Sequence, residues 1–193
     1  MIAVRELPAP PVCRREVLRY MGARENAEME ALLDRAIALC EGKLRYRVCY
    51  REVAVARTGD ARYPEGLALT SATLGRALAG CDRAVLFAAT VGLELDRLIL
   101  TYSRTSPALA LCLQAYGAER VEALCDAFCE EFSDATSRVS PGYGDFPIEA
   151  QGELFRLLDC PRKIGLSLNE SLLMTPTKSV TAVFGRKENH EHS

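Results

Sequence analysis

Histidine is almost absent from this sequence. The chain has 193 residues and two histidines, His190 and His192, both in a polar stretch at its C-terminal end. The remainder has no imidazole, which excludes Ser-His-Asp and Cys-His catalysis, histidine-ligated metal and a histidine proton shuttle. Paired cysteine is also lacking. Cys13, Cys40, Cys49, Cys81, Cys112, Cys125, Cys129 and Cys160 are scattered, with no Cys-x-x-Cys. Only Cys125 and Cys129 are close, and no histidine stands near them to complete a zinc site. Reduced, mostly buried thiols acting as small hydrophobes account for them best, and no metal is expected.

Long apolar runs are missing too. None reaches the ~18 residues of a membrane-span candidate; the longest, Ala84 to Leu93, is broken by Thr90-Val91-Gly92 and followed by Glu94 and Asp96. The N-terminus carries Arg5 and Glu6 early and lacks the apolar core of a secretory signal. Net charge is −2 with both signs interspersed, so no basic stripe offers itself to phosphate backbones. The expectation is a cytoplasmic protein with no membrane and no nucleic-acid partner. A hydrophobic fraction of 49% and a charged fraction of 26% are ordinary for a soluble domain. A chain of this length buries about 70% of its unfolded surface without staples.

The apolar spacing predicts helices over 14–21, 25–41, 72–79, 93–102, 107–133 and 149–158. Gly22, Gly42 and Gly80 are placed to end three of them, Ser71 to cap one, and Ser106-Pro107 to open the longest. Tyr46, Val48 and Tyr50 alternate with Arg45, Arg47 and Arg51 as in a half-buried strand, continued by Val53 and Val55. Leu67 and Leu69 suggest a short strand, 83–89 a fully buried one, and 164–168 and 179–184 two more. No repeat or linker divides the chain. The expected fold class is α+β: one domain over residues 1–186, with a mainly antiparallel or mixed sheet and packed helices, and a disordered polar tail over 187–193.

The loop Arg138-Val139-Ser140-Pro141-Gly142-Tyr143 is the sharpest chemical signal. A guanidinium takes a carboxylate in bidentate fashion, glycine after proline lets a ligand approach the backbone, and an aromatic ring stacks on a base or faces a cationic centre. Together they suit a zwitterionic ligand with an aromatic ring and a sulfonium. On chemistry alone the loop also reads as an ordinary structural turn. On the long helix, Val121, Leu124, Cys125, Phe128 and Phe132 share an apolar face. Glu122 lies about 100° from Val121, at its margin. It reads as an acceptor for ribose hydroxyls or an amino group, or as a solvated charge. Glu119 and Asp126 point further out and read as solvated. Thr90-Val91-Gly92, between a strand and a helix, offers backbone donors to an anion or partner, or is a tight turn.

These residues resemble a known family. Arg138-x-x-x-Gly142-Tyr143 is similar to the signature of the activation domain of cobalamin-dependent methionine synthase. The order continues with Pro147, Phe155-x-x-Leu158, Ile164-Gly165-Leu166-x-Leu168-x-Glu170-Ser171, Met174-x-Pro176 and Ser179-Val180. The likeness spans residues 138–184, about a quarter of the chain, and is specific as a set. Departures are Gly144-Asp145-Phe146-Pro147, where the family has proline and a cysteine-proline pair, and thinner aromatics beside the last strand. The family's N-terminal acidic ligand contact has no counterpart that can be placed.

The resemblance implies a chain that stands alone and binds S-adenosylmethionine through Arg138, Ser140, Pro141, Gly142, Tyr143 and Glu122. Glu170-Ser171 would serve ligand contact, helix initiation or a partner; Thr90, from its turn alone, stands as a possible partner or ligand contact. It also implies a role in reactivating oxidised cobalamin on a separate cobalamin-binding methionine synthase or related corrinoid protein, with a low-potential reductant protein supplying an electron. No catalytic residue is assigned, and the chain lacks the Asp-x-His-x-x-Gly of cobalamin carriers. Two other functions stand beside this one. One is a non-catalytic S-adenosylmethionine sensor or adaptor that docks on a corrinoid protein. The other is an assembly protein whose Arg138 loop is structural. A conventional S-adenosylmethionine methyltransferase is disfavoured, because no glycine-rich turn opens a Rossmann-like domain.

Overall fold

The apolar run around Leu86 sets the centre of the molecule. A computed structural model describes residues 1–67 and 69–187. In it β4 (Arg83–Thr90) lies between β2 (Arg47–Thr58) and β7 (Ser179–Arg186), both antiparallel to it, with Phe87 opposite Tyr50 on one side and Ala182 on the other. β1 (Ala3–Glu6) pairs with the first half of β2, and β3 (Ala61–Pro64) folds back on its second half. The sheet order is β1-β2-β4-β7, so β7 is an edge strand.

β4 reads as a continuous run because both of its faces are buried. Val85, Phe87 and Ala89 point into one core, and Ala84, Leu86 and Ala88 into the other. The first core is closed by α1 (Arg14–Met21), α2 (Ala27–Cys40), α4 (Glu94–Tyr102) and α5 (Pro107–Glu130), through Val17, Leu33, Leu95, Leu109 and Phe128. The second is closed by α3 (Ala72–Ala77), α6 (Ala150–Leu158) and α7 (Cys160–Ile164), through Leu74, Leu154 and Ile164. The fold is therefore α+β, an antiparallel sheet with helices on both faces.

Several boundaries moved for identifiable reasons. α2 starts at Ala27, because the Asn26 side chain accepts the Met29 N–H at 2.9 Å. α5 ends at Glu130, three residues before the expected Ser133. Leu67 is buried, but no strand forms over Leu67 and Leu69, where the chain leaves a turn at Gly66. Residues 160–164 form the short helix α7, closed by Gly165 at φ +71°, so only β5 (Ser167–Leu168) remains of the expected strand. β5 pairs with β6 (Met174–Thr175) in a small hairpin. β1, β3, α7 and β6 were not foreseen. Of the expected tail, 188–193 and both histidines lie outside the described residues.

Cys40, Cys49, Cys81, Cys112, Cys125 and Cys160 are buried, Cys129 is half-buried and Cys13 exposed. Burial pushes the Cys40, Cys112 and Cys129 thiols up to about 11, so they stay protonated and inert at neutral pH. Among the described residues no three His, Cys, Asp or Glu side chains converge as metal ligands would. No described helix is long and apolar enough to cross a membrane.

Candidate functional site

After α5 the chain runs beside the edge strand β7. It touches β7 at Ala135–Arg186 and again at Val139–Val183, where the two valines exchange hydrogen bonds of 2.8 Å. Pro141, with no N–H to donate, follows at once, and the loop peels away. It then tightens: the Gly142 N–H donates to Phe146 O at 2.8 Å and the Tyr143 N–H to Ser140 O at 3.2 Å. Gly142 and Gly144 hold φ of +90° and +58°, which side-chain-bearing residues rarely adopt. A Cβ on Gly144 would also come within 2.4 Å of Thr73 Oγ1.

Asp145 staples the far end of the loop to α3. Its carboxylate accepts the Ala72 N–H at 2.6 Å, the Thr73 N–H at 2.9 Å and the Ser71 hydroxyl at 2.9 Å. The Thr73 and Ala72 amides hold this carboxyl well below the usual carboxylate range. At this end of the loop glycine thus clears Thr73 and aspartate grips the start of α3.

The loop walls a cleft of about 670 Å³ between α3, α5, α6 and β7. Arg138, Ser140, Pro141, Tyr143 and Glu122 all line it, so five of the six residues expected at a ligand converge on one cavity. Gly142 supports the turn instead, against Ile148. The Tyr143 ring is exposed at the rim.

Arg138 is held by α5 through bonds to Glu122 and Asp126. Its burial disfavours the charge, but the Asp126 hydrogen bond and nearby negative groups more than offset this, and its pKa is raised. These two bonds use two of its five N–H donors. Of these three groups Arg138 and Glu122 line the cleft, one charge of each sign, while Asp126 grips Arg138 from outside its lining.

Some expectations need correction. Asp126, read as solvated, is exposed as expected, but it is also the second partner of Arg138. Glu119, also read as solvated, is buried and accepts Arg120 Nε at 2.6 Å and the Cys13 N–H at 2.9 Å. Glu170 and Ser171 start no helix; they sit exposed in the turn of the β5–β6 hairpin, outside the cleft lining. Thr90 is buried, its hydroxyl accepting from Ser179 Oγ at 2.8 Å. The donors beside it are already used, Val91 N–H by Lys178 O and Gly92 N–H by Thr90 Oγ1, which leaves no seat for an anion.

Thr73, Gln151 and Thr181 also line the cleft and were not singled out. A signal existed for one of them. In 179–184 the period-2 pattern sets Ser179 and Thr181 on the same face as Val183, polar groups on a side that is otherwise apolar.

Comparison with known proteins agrees with this picture. Residues 134–192 match the family model described as vitamin B12 dependent methionine synthase, activation domain. No curated protein matches the chain. Among solved structures, the MetH reactivation domain bound to AdoHcy superposes with a TM-score of 0.72 at 15% identity, covering 100% of this chain and 80% of that one. At that identity the likeness is one of fold. The segment that forms the cleft loop is thus similar to the activation domain of vitamin B12 dependent methionine synthase, and the chain as a whole has the fold of the MetH reactivation domain.

Proposed function

We propose that this cleft binds S-adenosylmethionine and that the chain serves the reactivation of a cobalamin-dependent methionine synthase whose cobalamin is carried by a separate corrinoid protein. The observation that carries the reading is the convergence of Arg138, Tyr143 and Glu122, from a loop and a helix, on one cleft in the segment that matches the activation-domain family. S-adenosylmethionine carries a sulfonium, an ammonium and a carboxylate, net +1 at neutral pH. Its charges of both signs find counterparts in Arg138 and Glu122, which line the cleft. In this reading Arg138 takes the carboxylate with its free donors, Glu122 takes an amino or hydroxyl group, and the exposed Tyr143 ring stacks. A volume of about 670 Å³ lies within the range of small-molecule sites.

The chemistry asks little of the protein beyond placement. The sulfonium methyl passes to the cobalt of cob(II)alamin as one electron arrives from a low-potential donor protein, leaving methylcobalamin and S-adenosylhomocysteine. With no imidazole before residue 190, this chain contributes by holding the donor in line. The test mixes the purified chain, a corrinoid methionine synthase lacking its own activation domain, a low-potential reductant and S-adenosylmethionine, and follows methylcobalamin by its visible spectrum. The chain should accelerate its formation. An equal rate without the chain contradicts the reactivation role, and binding without acceleration points to the sensor.

A further inference from the structure

A second cavity, sharing no residue with the loop cleft, opens between the segment after β1, the end of α2 and Tyr116 of α5. Its volume of about 540 Å³ is in the range of small-molecule sites. Leu7, Cys40, Tyr46 and Tyr116 form its floor, each at least nine-tenths buried, and the half-buried Ile37 and Leu44 form its walls. The apolar lining gives such a cavity its grip, and the few polar groups around it decide what it grips.

Tyr116 is 5% exposed, and its hydroxyl has no hydrogen-bond partner among the described residues. It is not sealed in: Arg62 Nε is the one described side-chain atom both unpaired and cut off from solvent. The hydroxyl therefore opens on the cavity, and burial pushes its pKa up, so it stays neutral. It stands near Cys40, the last residue of α2. α2 has no basic side chain in its last turn, so the negative end of its dipole faces the cavity with no offset from the helix itself. Glu6, Asp34 and Glu41 complete the rim, and no basic residue lines it. From outside the lining Arg14 holds Asp34 at 2.8 Å and Arg45 approaches Glu6 at 3.7 Å, while Glu41 has no ion-pair partner among the described residues. Behind the floor Arg120 lies 5.6 Å from the Tyr116 ring, and Glu119 matches its charge.

We propose that this cavity is a second ligand site, for a small organic ammonium ion with an apolar body. An ammonium offers three donors and no acceptor. The Tyr116 hydroxyl and the Glu41 carboxylate accept from it, and the end of α2 attracts its charge. The tyrosine rings add the pull of an aromatic face on a cation, and Leu7, Ile37 and Leu44 take the apolar body. A neutral alcohol of the same shape keeps those apolar contacts and loses the charge-assisted bonds. The site stands whether or not the loop cleft binds S-adenosylmethionine.

The experiment titrates the isotope-labelled chain with hexylammonium and phenethylammonium chlorides, and with the two matching neutral alcohols, and follows backbone amides by NMR. The amides of Leu44, Tyr46 and Tyr116 should shift saturably with at least one amine, and its alcohol should bind at least about tenfold more weakly. Tyr116→Phe keeps the ring and removes the acceptor, and should weaken the amine about threefold or more. Glu41→Gln, at an exposed position that the fold does not depend on, should weaken the amine and leave the alcohol unchanged; it decides the matter if Tyr116→Phe does not fold. No saturable shift at these amides with either amine, equal binding of amine and alcohol, or undiminished amine binding in the folded variants overturns the proposal.

Discussion

Replacing Arg120 with methionine strands a carboxylate inside the protein. The Arg120 and Glu119 side chains are 1% and 5% exposed and bonded to each other twice at 2.6 Å. Arg120 also donates to Pro10 O at 2.5 Å and Pro11 O at 2.7 Å, and Glu119 accepts the Cys13 N–H. Together they clamp the segment before α1 onto α5. Burial works against the Arg120 charge, and the Glu119 contacts outweigh it. Removing one member of such a pair costs about 3–5 kcal/mol, largely because the other charge stays buried. For a chain of this size each kcal/mol shifts the midpoint by roughly 2–4 °C, so Arg120→Met should melt about 6–20 °C below the wild type. Glu119→Gln combined with Arg120→Met removes the stranded charge and should recover part of that loss. Thermal denaturation followed by circular dichroism measures both. A single variant within about 2 °C of the wild type, or a double variant no better than the single one, refutes the reasoning.

Two further outcomes follow from the cleft. Because the Asp145 carboxyl titrates below its unfolded value, its contribution is present above about pH 4 and lost as pH falls through the lower folded value. Acid unfolding should therefore be shallower in Asp145→Ala, and a pH–stability curve parallel to the wild type would remove the capping role. For Tyr143, phenylalanine should preserve S-adenosylmethionine affinity better than alanine, since ring area and face matter more than the hydroxyl; calorimetry giving the reverse order would show that a hydroxyl bond dominates.

What could be read from the sequence was local. The run around Leu86, the Ser71 cap and the Arg138 loop each carry their signal within a few neighbouring residues, and each appears where expected. The Glu119–Arg120 clamp could not be read, because its partners at Pro10, Pro11 and Cys13 lie more than a hundred residues away. Helical phase placed Glu119 towards solvent, and the N-terminal segment covers it. Asp126 was missed for a related reason: the loop that brings Arg138 back over α5 is an event of tertiary folding. Gln151 sits in a helix whose neighbours give no hint that a hairpin carbonyl, Leu172 O, will fix its amide. The strands β1 and β3 are too short for an alternation to emerge. The two-residue strands of the β5–β6 hairpin are shorter still.

Whether Arg138 holds the carboxylate of S-adenosylmethionine in this cleft is decided by calorimetric titration of the wild type and Arg138→Ala with that ligand. The wild type should bind with one-to-one stoichiometry. The variant should be weaker by roughly 2–5 kcal/mol, because the ligand carboxylate loses its partner while Glu122 and Asp126 lose theirs. Unchanged affinity in a folded Arg138→Ala chain, or no binding by the wild type, would show that Arg138 does not hold the ligand in this cleft.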